Sequence, residues 1–320
     1  MTLSWGIAAT GRIARTVGTL IAEHPSMRVA AVGSRDLSRA AGLAAELEAP
    51  AAYGSYAELV HDPQVQAVYV ATPHAQHADV VEIALNAGKA VLCEKPLTHE
   101  LAESTRLAHL SRSTGTFLME AMWTRFNPLV QQLRAAVADG RLGEIRSLHA
   151  SFGFPAPFDP QGRLWNPALG GGALLDLGIY TVDFARLLLG DPTQVSARGS
   201  LSSTGVDAEE AVLLGWASGA TALLDTSLLT TLPNTAIVIG SAGTAELSPS
   251  FHAPTLLRFV HPGAAPEEHR LENRRAGMIG ELEEVARCVA DGVGHSEVMP
   301  PEESIATMRV LDEAIRQLHG

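Results

Sequence analysis

The chain has 320 residues, a formal net charge of −12 and 46% apolar residues. That length exceeds one ordinary core and implies two domains, while the acidic balance excludes a nucleic-acid binder, whose phosphate partners demand a basic footprint. No run of about 18 apolar residues is present to cross a membrane, the opening residues lack a secretion pattern, and Cys93 and Cys288 have no spacing for a disulfide framework or a zinc site; a cytoplasmic protein with neither a metal nor a membrane partner is expected.

Residues 3–8, 28–33, 67–71, 90–93 and 116–119 are short apolar runs read as strands, and 13–23, 37–47, 75–87 and 100–113 between them read as helices. This alternation predicts βαβ units and a parallel sheet with helices on both faces. The runs are continuously apolar, as strands buried on both sides require. Beyond Trp123 the rhythm changes. A helix at 129–139 leads to a strand at 145–154, a Pro/Gly-rich loop to Gly172 and a helix at 173–189. Strand-like runs follow at 194–201, 210–217, 220–226, 235–241, 244–247 and 255–260, then helices at 279–290 and 302–317. The pattern predicts an α/β domain over residues 1–122 and an α+β domain over 123–320 with a large, mostly antiparallel open sheet. One face of such a sheet needs covering, by helices or by a second subunit.

The first strand runs into Ala9-Thr10-Gly11-Arg12-Ile13-Ala14. Dinucleotide-binding turns read G-x-G-x-x-G/A between strand and helix, and Ala9, Gly11 and Ala14 occupy those places. Gly11 lets the backbone approach a pyrophosphate and Ala14 allows close packing, whereas Ala9 replaces the tight-turn glycine. An ordinary loop would also look like this; its place at the first β–α junction favours the cofactor. The second strand ends in Ser34-Arg35-Asp36. NAD sites usually carry an acid here for the ribose hydroxyls; Ser34 and Arg35 instead suit a 2′-phosphate, with Asp36 as a helix cap. NADP is the predicted cofactor and NAD the alternative.

Three further segments lie at the carboxyl ends of strands, where open α/β sheets bind ligands, or open a helix. Thr72, Pro73 and His77 follow the third strand, with His77 preferred to His74 as a ligand contact. Glu94-Lys95-Pro96 follows the fourth, where an exposed lysine can polarise an oxygen and Pro96 allows a cis bond; a solvated lysine paired to Glu94 is the alternative. After Gly170-Gly171-Gly172, Asp176, Tyr180 and Asp183 fall on one α-helical face. A phenol near an ammonium is a general acid/base for interconverting alcohol and carbonyl; a core tyrosine satisfied by an aspartate is the alternative.

Together these segments resemble the Gfo/Idh/MocA oxidoreductase family over essentially the whole chain. More narrowly, 31–41, 53–56, 120–126 and 171–180 resemble its dimeric dihydrodiol dehydrogenase branch, which includes NADP-dependent D-xylose 1-dehydrogenases. The resemblance implies Lys95 and Tyr180 as a catalytic pair with Asp176 nearby, and Arg35 on the 2′-phosphate. It implies Trp123, Arg125 and Phe152 in a pocket for a sugar or cyclic diol, and a homodimer or homotetramer paired through the C-terminal sheet. The expected activity is reversible hydride transfer between NADP(H) and a hydroxyl or carbonyl carbon, with no catalytic metal. A yeast galactose-pathway repressor uses the same fold to bind dinucleotide without turnover, so a sensor is the rival expectation. The 155–168 loop departs from the relatives, and substrate identity does not transfer with the rest.

Overall fold

A computed structural model describes residues 2–248 and 250–320 and divides into two compact units, Met1–Ala121 with Glu281–Ile305, and Met122–Gly280 with Ala306–Gly320. The first break falls beside the expected boundary at 122. The second does not follow from a continuous 123–320 domain, because 25 residues between Glu281 and Ile305 return to the first unit. Helical periodicity identifies that stretch as amphipathic without saying which core receives it.

The first unit is built on β1 (Leu3–Ala8), β2 (Met27–Gly33), β3 (Ala51–Tyr53), β4 (Ala67–Val70), β5 (Ala90–Glu94) and β6 (Leu118–Ala121), all parallel, in the order β3-β2-β1-β4-β5-β6. That is the doubly wound order, with its topological switch between β1 and β4. The connecting helices are α1 (Arg12–Glu23), α2 (Leu37–Glu46), α3 (Tyr56–His61), α4 (His77–Asn86) and α5 (Leu101–Thr114). β1 and β4 are buried at every position, which is why their sequences show no polar alternation. β3 and α3 were absent from the sequence reading. β3 has three half-buried residues, too few for periodicity, but α3 carried a signal in Ser55-x-x-Glu58: the Ser55 hydroxyl accepts from the Glu58 N–H at 3.1 Å.

The second unit begins with a 3₁₀ turn (Trp123–Phe126) and α6 (Pro128–Ala138), followed by β7 (Ile145–Gly153), a π-helical turn (Leu174–Gly178) and α7 (Ile179–Leu189). β8 (Gln194–Leu201), β9 (Asp207–Gly215), β10 (Thr221–Ser227), β11 (Ala236–Gly240), β12 (Thr244–Ser248), β13 (Leu256–Val260) and β14 (Glu267–Arg270) complete an eight-stranded sheet ordered β14-β13-β12-β11-β7-β10-β9-β8. Its pairings are antiparallel except β7 with β10, the mostly antiparallel sheet expected. β14, Glu-Glu-His-Arg, has no apolar residue and gives no sequence signal. Two helices, α8 (Ala276–Asp291) and α9 (Pro301–His319), close the chain. α6 and α7 pack against one face of the sheet. The other face exposes Leu213 (45%) and Leu223 (49%) beside a shallow trough of about 530 Å³.

The helix expected at 173–189 is interrupted. Its first turn is π-helical, so its i→i+5 ring is one residue wider than an α turn. The glycines before it fit the chain against itself. Gly172 sits at φ 126, and a Cβ there would fall 2.3 Å from the Asp207 carboxylate. That carboxylate accepts the Leu174 N–H at 2.6 Å, satisfying a helix-start donor that has no intrahelical acceptor.

Candidate active site

In the first unit, β1 delivers the chain to Ala9, which stands at φ 125 and donates its N–H to the Gly33 carbonyl at 3.0 Å. An alanine is thus held where glycine is at ease, at a strain of about 1–3 kcal/mol. The tight turn survives without its glycine. Gly11 precedes α1 with no side-chain cap, and a Cβ on it would meet nothing within 4 Å. The first turn thus has no side-chain cap for its orphan N–H groups, and such helix starts bind phosphate. Thr10 and Ile13 are half-buried beside it, and Arg12 is exposed.

At the end of β2, the Ser34 hydroxyl accepts from the Asp36 N–H at 3.2 Å. Asp36 caps α2 by accepting from the Ser38 and Arg39 N–H groups, as the sequence suggested. Arg35 is exposed and, among the described residues, has no carboxylate partner. Beyond β4, the Thr72 hydroxyl is buried with no hydrogen-bond partner among the described residues. Pro73, half-buried, leads into a short 3₁₀ turn (His74–Gln76).

His77 occupies a different place from the one expected. Its ring is fully buried, with Nδ1 2.8 Å from the Pro96 carbonyl and Nε2 2.9 Å from the Thr72 carbonyl. Burial pushes its pKa down, opposed by the neighbouring carbonyls. Both ring nitrogens face backbone carbonyls, and whichever carries the proton donates to one of them, so the buried imidazole sits between the loop after β4 and the loop after β5. The Lys95–Pro96 peptide in that second loop is cis. Lys95 is half-buried, and the Glu94 carboxylate accepts from the Tyr69 phenol. Burial, then Glu94, pushes the Tyr69 hydroxyl well up, and the same two causes raise the buried Glu281 carboxyl. An uncapped helix start, the space at Gly11, an orphaned Thr72 hydroxyl and an unpaired arginine after β2 form a donor set that fits a dinucleotide.

In the second unit, Asp176 lies within the π turn, and Tyr180 and Asp183 lie beyond it in α7. Asp176, nearly buried, accepts from Arg163 of the 155–168 loop at 2.9 Å. Tyr180 and Asp183, beyond the wide turn, both meet the Trp123–Phe126 turn. Trp123 Nε1 donates to the Tyr180 hydroxyl oxygen at 2.7 Å. Arg125 grips the Asp183 carboxylate through Nε and Nη2 at 2.7–3.1 Å.

Arg125 therefore departs from its expected role as a cation lining the pocket. Its side chain is 2% exposed and that of Asp183 1%, and Thr307, which accepts from Arg186 at 2.8 Å, donates to the same carboxylate at 3.2 Å. The guanidinium anchors the 3₁₀ turn to α7 and so fixes Trp123 relative to Tyr180.

Phe152, near the end of β7, lies 5.7 Å from the Tyr180 ring. The fourth wall was not foreseen: His252 stacks on Phe152 at 4.1 Å and 13°, 5.4 Å from Tyr180 and 5.6 Å from Trp123. A lone histidine in a Pro-flanked turn after β12 has no sequence mark to distinguish it. Arg163 was missed for the same reason, inside a loop without periodicity. Behind the π turn, Glu210 is buried and its carboxyl is pushed well up by burial and then by Asp207.

Comparison with known proteins accounts for both units. Residues 3–122 match the oxidoreductase family model with an NAD-binding Rossmann fold, and 130–246 match the GFO/IDH/MocA C-terminal domain. The mouse (Mus musculus) trans-1,2-dihydrobenzene-1,2-diol dehydrogenase is 40% identical over 98% of this chain and 96% of its own length. Among solved structures, an aldose–aldose oxidoreductase from Caulobacter crescentus complexed with glycerol shares 26% identity with a TM-score of 0.90, covering 100% of this chain and 98% of that one. A 3-ketoreductase from Actinomadura kijaniata in complex with NADP and TDP-benzene shares 28% with a TM-score of 0.85, covering 99% and 97%. With a dinucleotide cradle in one unit and a phenol held by an indole in the other, and with full-length kinship to dehydrogenases, this chain belongs to the GFO/IDH/MocA family of oxidoreductases.

Proposed function

We propose that this protein is a cytoplasmic NADP(H)-dependent dehydrogenase that interconverts alcohol and carbonyl on a sugar or a related cyclic diol, with Tyr180 moving the proton. The observation that carries the reading is the Trp123–Tyr180 hydrogen bond. Indole N–H is only a donor, so the phenol oxygen accepts there and keeps its own proton for another acceptor. A donor on that oxygen also stabilises the negative charge that appears when the proton leaves. A bound nicotinamide supplies or takes up the hydride. Lys95 is assigned by the family pattern to orient the reacting oxygen and to favour the phenolate of Tyr180, and Asp176 to stand nearby. Trp123 and Phe152 offer aromatic faces to the carbon side of a ring.

Arg35 is the residue proposed to choose NADP. An exposed guanidinium with no carboxylate beside it suits a dianionic phosphate. Purified protein supplied with a panel of aldoses and dihydrodiols should reduce NADP, followed by nicotinamide absorbance. Arg35→Ala should lower kcat/KM for NADP by about 10–100-fold, and for NAD much less, because one charge-assisted phosphate contact is lost. Equal losses with both cofactors overturn the phosphate assignment.

The open face of the sheet supports self-assembly. Leu213 and Leu223 are exposed there, with Arg198 and Asp225 of opposite charge at the same trough. Burial of such leucines against a second copy would cover a face that helices leave open. Light scattering at micromolar concentration should give a dimer or tetramer mass, and Leu223→Asp should shift it toward monomer. A monomeric wild-type protein removes the assembly proposal.

A further inference from the structure

The helix that carries Tyr180 is tied at its start to a buried acid of the sheet. Asp207 opens β9, is 4% exposed, and its carboxylate accepts the Leu174 N–H at 2.6 Å. The Leu174 carbonyl in turn accepts the Ile179 N–H, which closes the wide ring of the π turn. Leu174 therefore links Asp207, through two hydrogen bonds, to the residue that precedes Tyr180. The anchor itself is fixed. Asp207 pairs with Leu201 of β8, and the Leu228 N–H, just past β10, donates to the Ala208 carbonyl at 2.8 Å. Capping alone does not require an acid here. Serine or asparagine caps a helix start about as well as aspartate, and a carboxylate is costly to bury. Burial pushes the Asp207 carboxyl up, opposed by the N–H groups of Leu174, Asp207 and Ala173. Glu210, three residues on, brings a second buried carboxyl to the same place. Two interior acids at one turn lower stability, and such departures concentrate where function requires them.

We infer that Asp207 is a positioning residue for the reaction: through Leu174 and Ile179 it sets where the backbone of Tyr180 stands, and so where the phenol meets the reacting oxygen. The inference rests on the reading of Tyr180 as the acid/base of the site. Trp123 holds the hydroxyl end of that side chain, and Asp207 holds the backbone from which it leaves. A carboxylate makes a shorter and stronger bond to a helix-start N–H than a neutral acceptor does. Displacing a reacting group by about 1 Å costs about 10²-fold in rate, so a stiff anchor serves catalysis even where it lowers stability.

Asp207→Ala removes the acceptor, and Asp207→Asn keeps a neutral one. With NADP present and folding checked by urea midpoints, kcat and KM are measured for an aldose and for a trans-dihydrodiol. Asp207→Ala should lower kcat by about 10–100-fold while KM changes less than about threefold, and Asp207→Asn should recover most of the loss. In a Tyr180→Phe background, Asp207→Ala should add little, because the group it places has lost its oxygen. Full kcat in Asp207→Ala, or a loss that multiplies with that of Tyr180→Phe, makes Asp207 a structural cap and overturns the inference. So does a fall in activity no larger than the fall in folded fraction. Should Asp207→Ala not fold, Asp207→Ser, whose hydroxyl still caps a helix start from a shorter side chain, replaces it with the same outcomes. A wild-type protein that turned over neither substrate would remove the reading of Tyr180 itself, whereas an active wild type with any overturning result removes the role of Asp207 alone.

Discussion

Replacing Tyr180 with phenylalanine is expected to lower kcat by about 10²–10⁴-fold, the range that a positioned general acid/base contributes. The variant keeps the ring that packs beside Phe152 and His252 and removes only the oxygen. One side effect is foreseeable: Trp123 Nε1 loses its acceptor, at a cost of about 1 kcal/mol in stability. A loss of activity far larger than that stability change is therefore chemical. Lys95→Ala should give a loss of similar order. The combination is the more searching test, because residues that act as a unit show strongly non-additive losses. The double variant should be little worse than the poorer single one. Multiplying losses would mean that the two side chains act in separate steps, and full turnover in both single variants would remove the mechanism.

The second large effect is on folding. Arg125 and Asp183 are an almost completely buried ion pair. Breaking such a pair by removing one partner strands a charge in a medium that solvates it poorly, at about 3–5 kcal/mol. Arg125→Met and Asp183→Asn should each lower unfolding free energy by roughly that amount, read from urea denaturation midpoints at constant m-value. Asparagine sits at the mild end, since it still accepts from Thr307 and Arg125. The double variant should recover much of the loss, because no lone charge remains. Additive losses would show that each residue works through other contacts. Since the pair ties the Trp123 turn to α7, activity should fall with stability in the single variants even though neither side chain is offered to substrate.

What could be read from the chain alone follows from how much signal each element needs. Runs such as Ala67–Val70 are buried on both faces, so composition alone marks them, and the doubly wound half is legible except at β3, which is three residues long, and at the six-residue α3. The antiparallel half was legible where apolar and polar residues alternate, as in Ala222, Leu224 and Thr226 against Leu223 and Asp225, and silent at the polar β14. Boundaries drifted where both neighbours are apolar: β6 runs from Leu118 to Ala121, two residues beyond the reading. Site residues with a motif around them, Gly11, Lys95 and Tyr180, could be nominated from spacing. Residues whose roles depend on long-range partners could not. The same histidine letter stands for a clamp between two carbonyls at 77 and a stacked wall at 252. Arginine at 125 reads as a free cation until Asp183, 58 residues on, is seen beside it. The π turn is invisible for a related reason. An extra residue in a helix turn leaves no mark in composition.

The return of Glu281–Ile305 to the first unit also sets an order in time. A ribosome makes Met1–Ala121 first and must then complete α6, α7 and every strand of the large sheet before the last piece of that unit exists. Leu282, Val285, Cys288 and Met299, all buried in the finished protein, arrive only after that sheet has been made. The cofactor half is thus begun first and closed late. A nascent chain carries an unfinished nucleotide-binding core while the whole of the large sheet is made, an interval in which exposed apolar surface invites chaperones and aggregation alike.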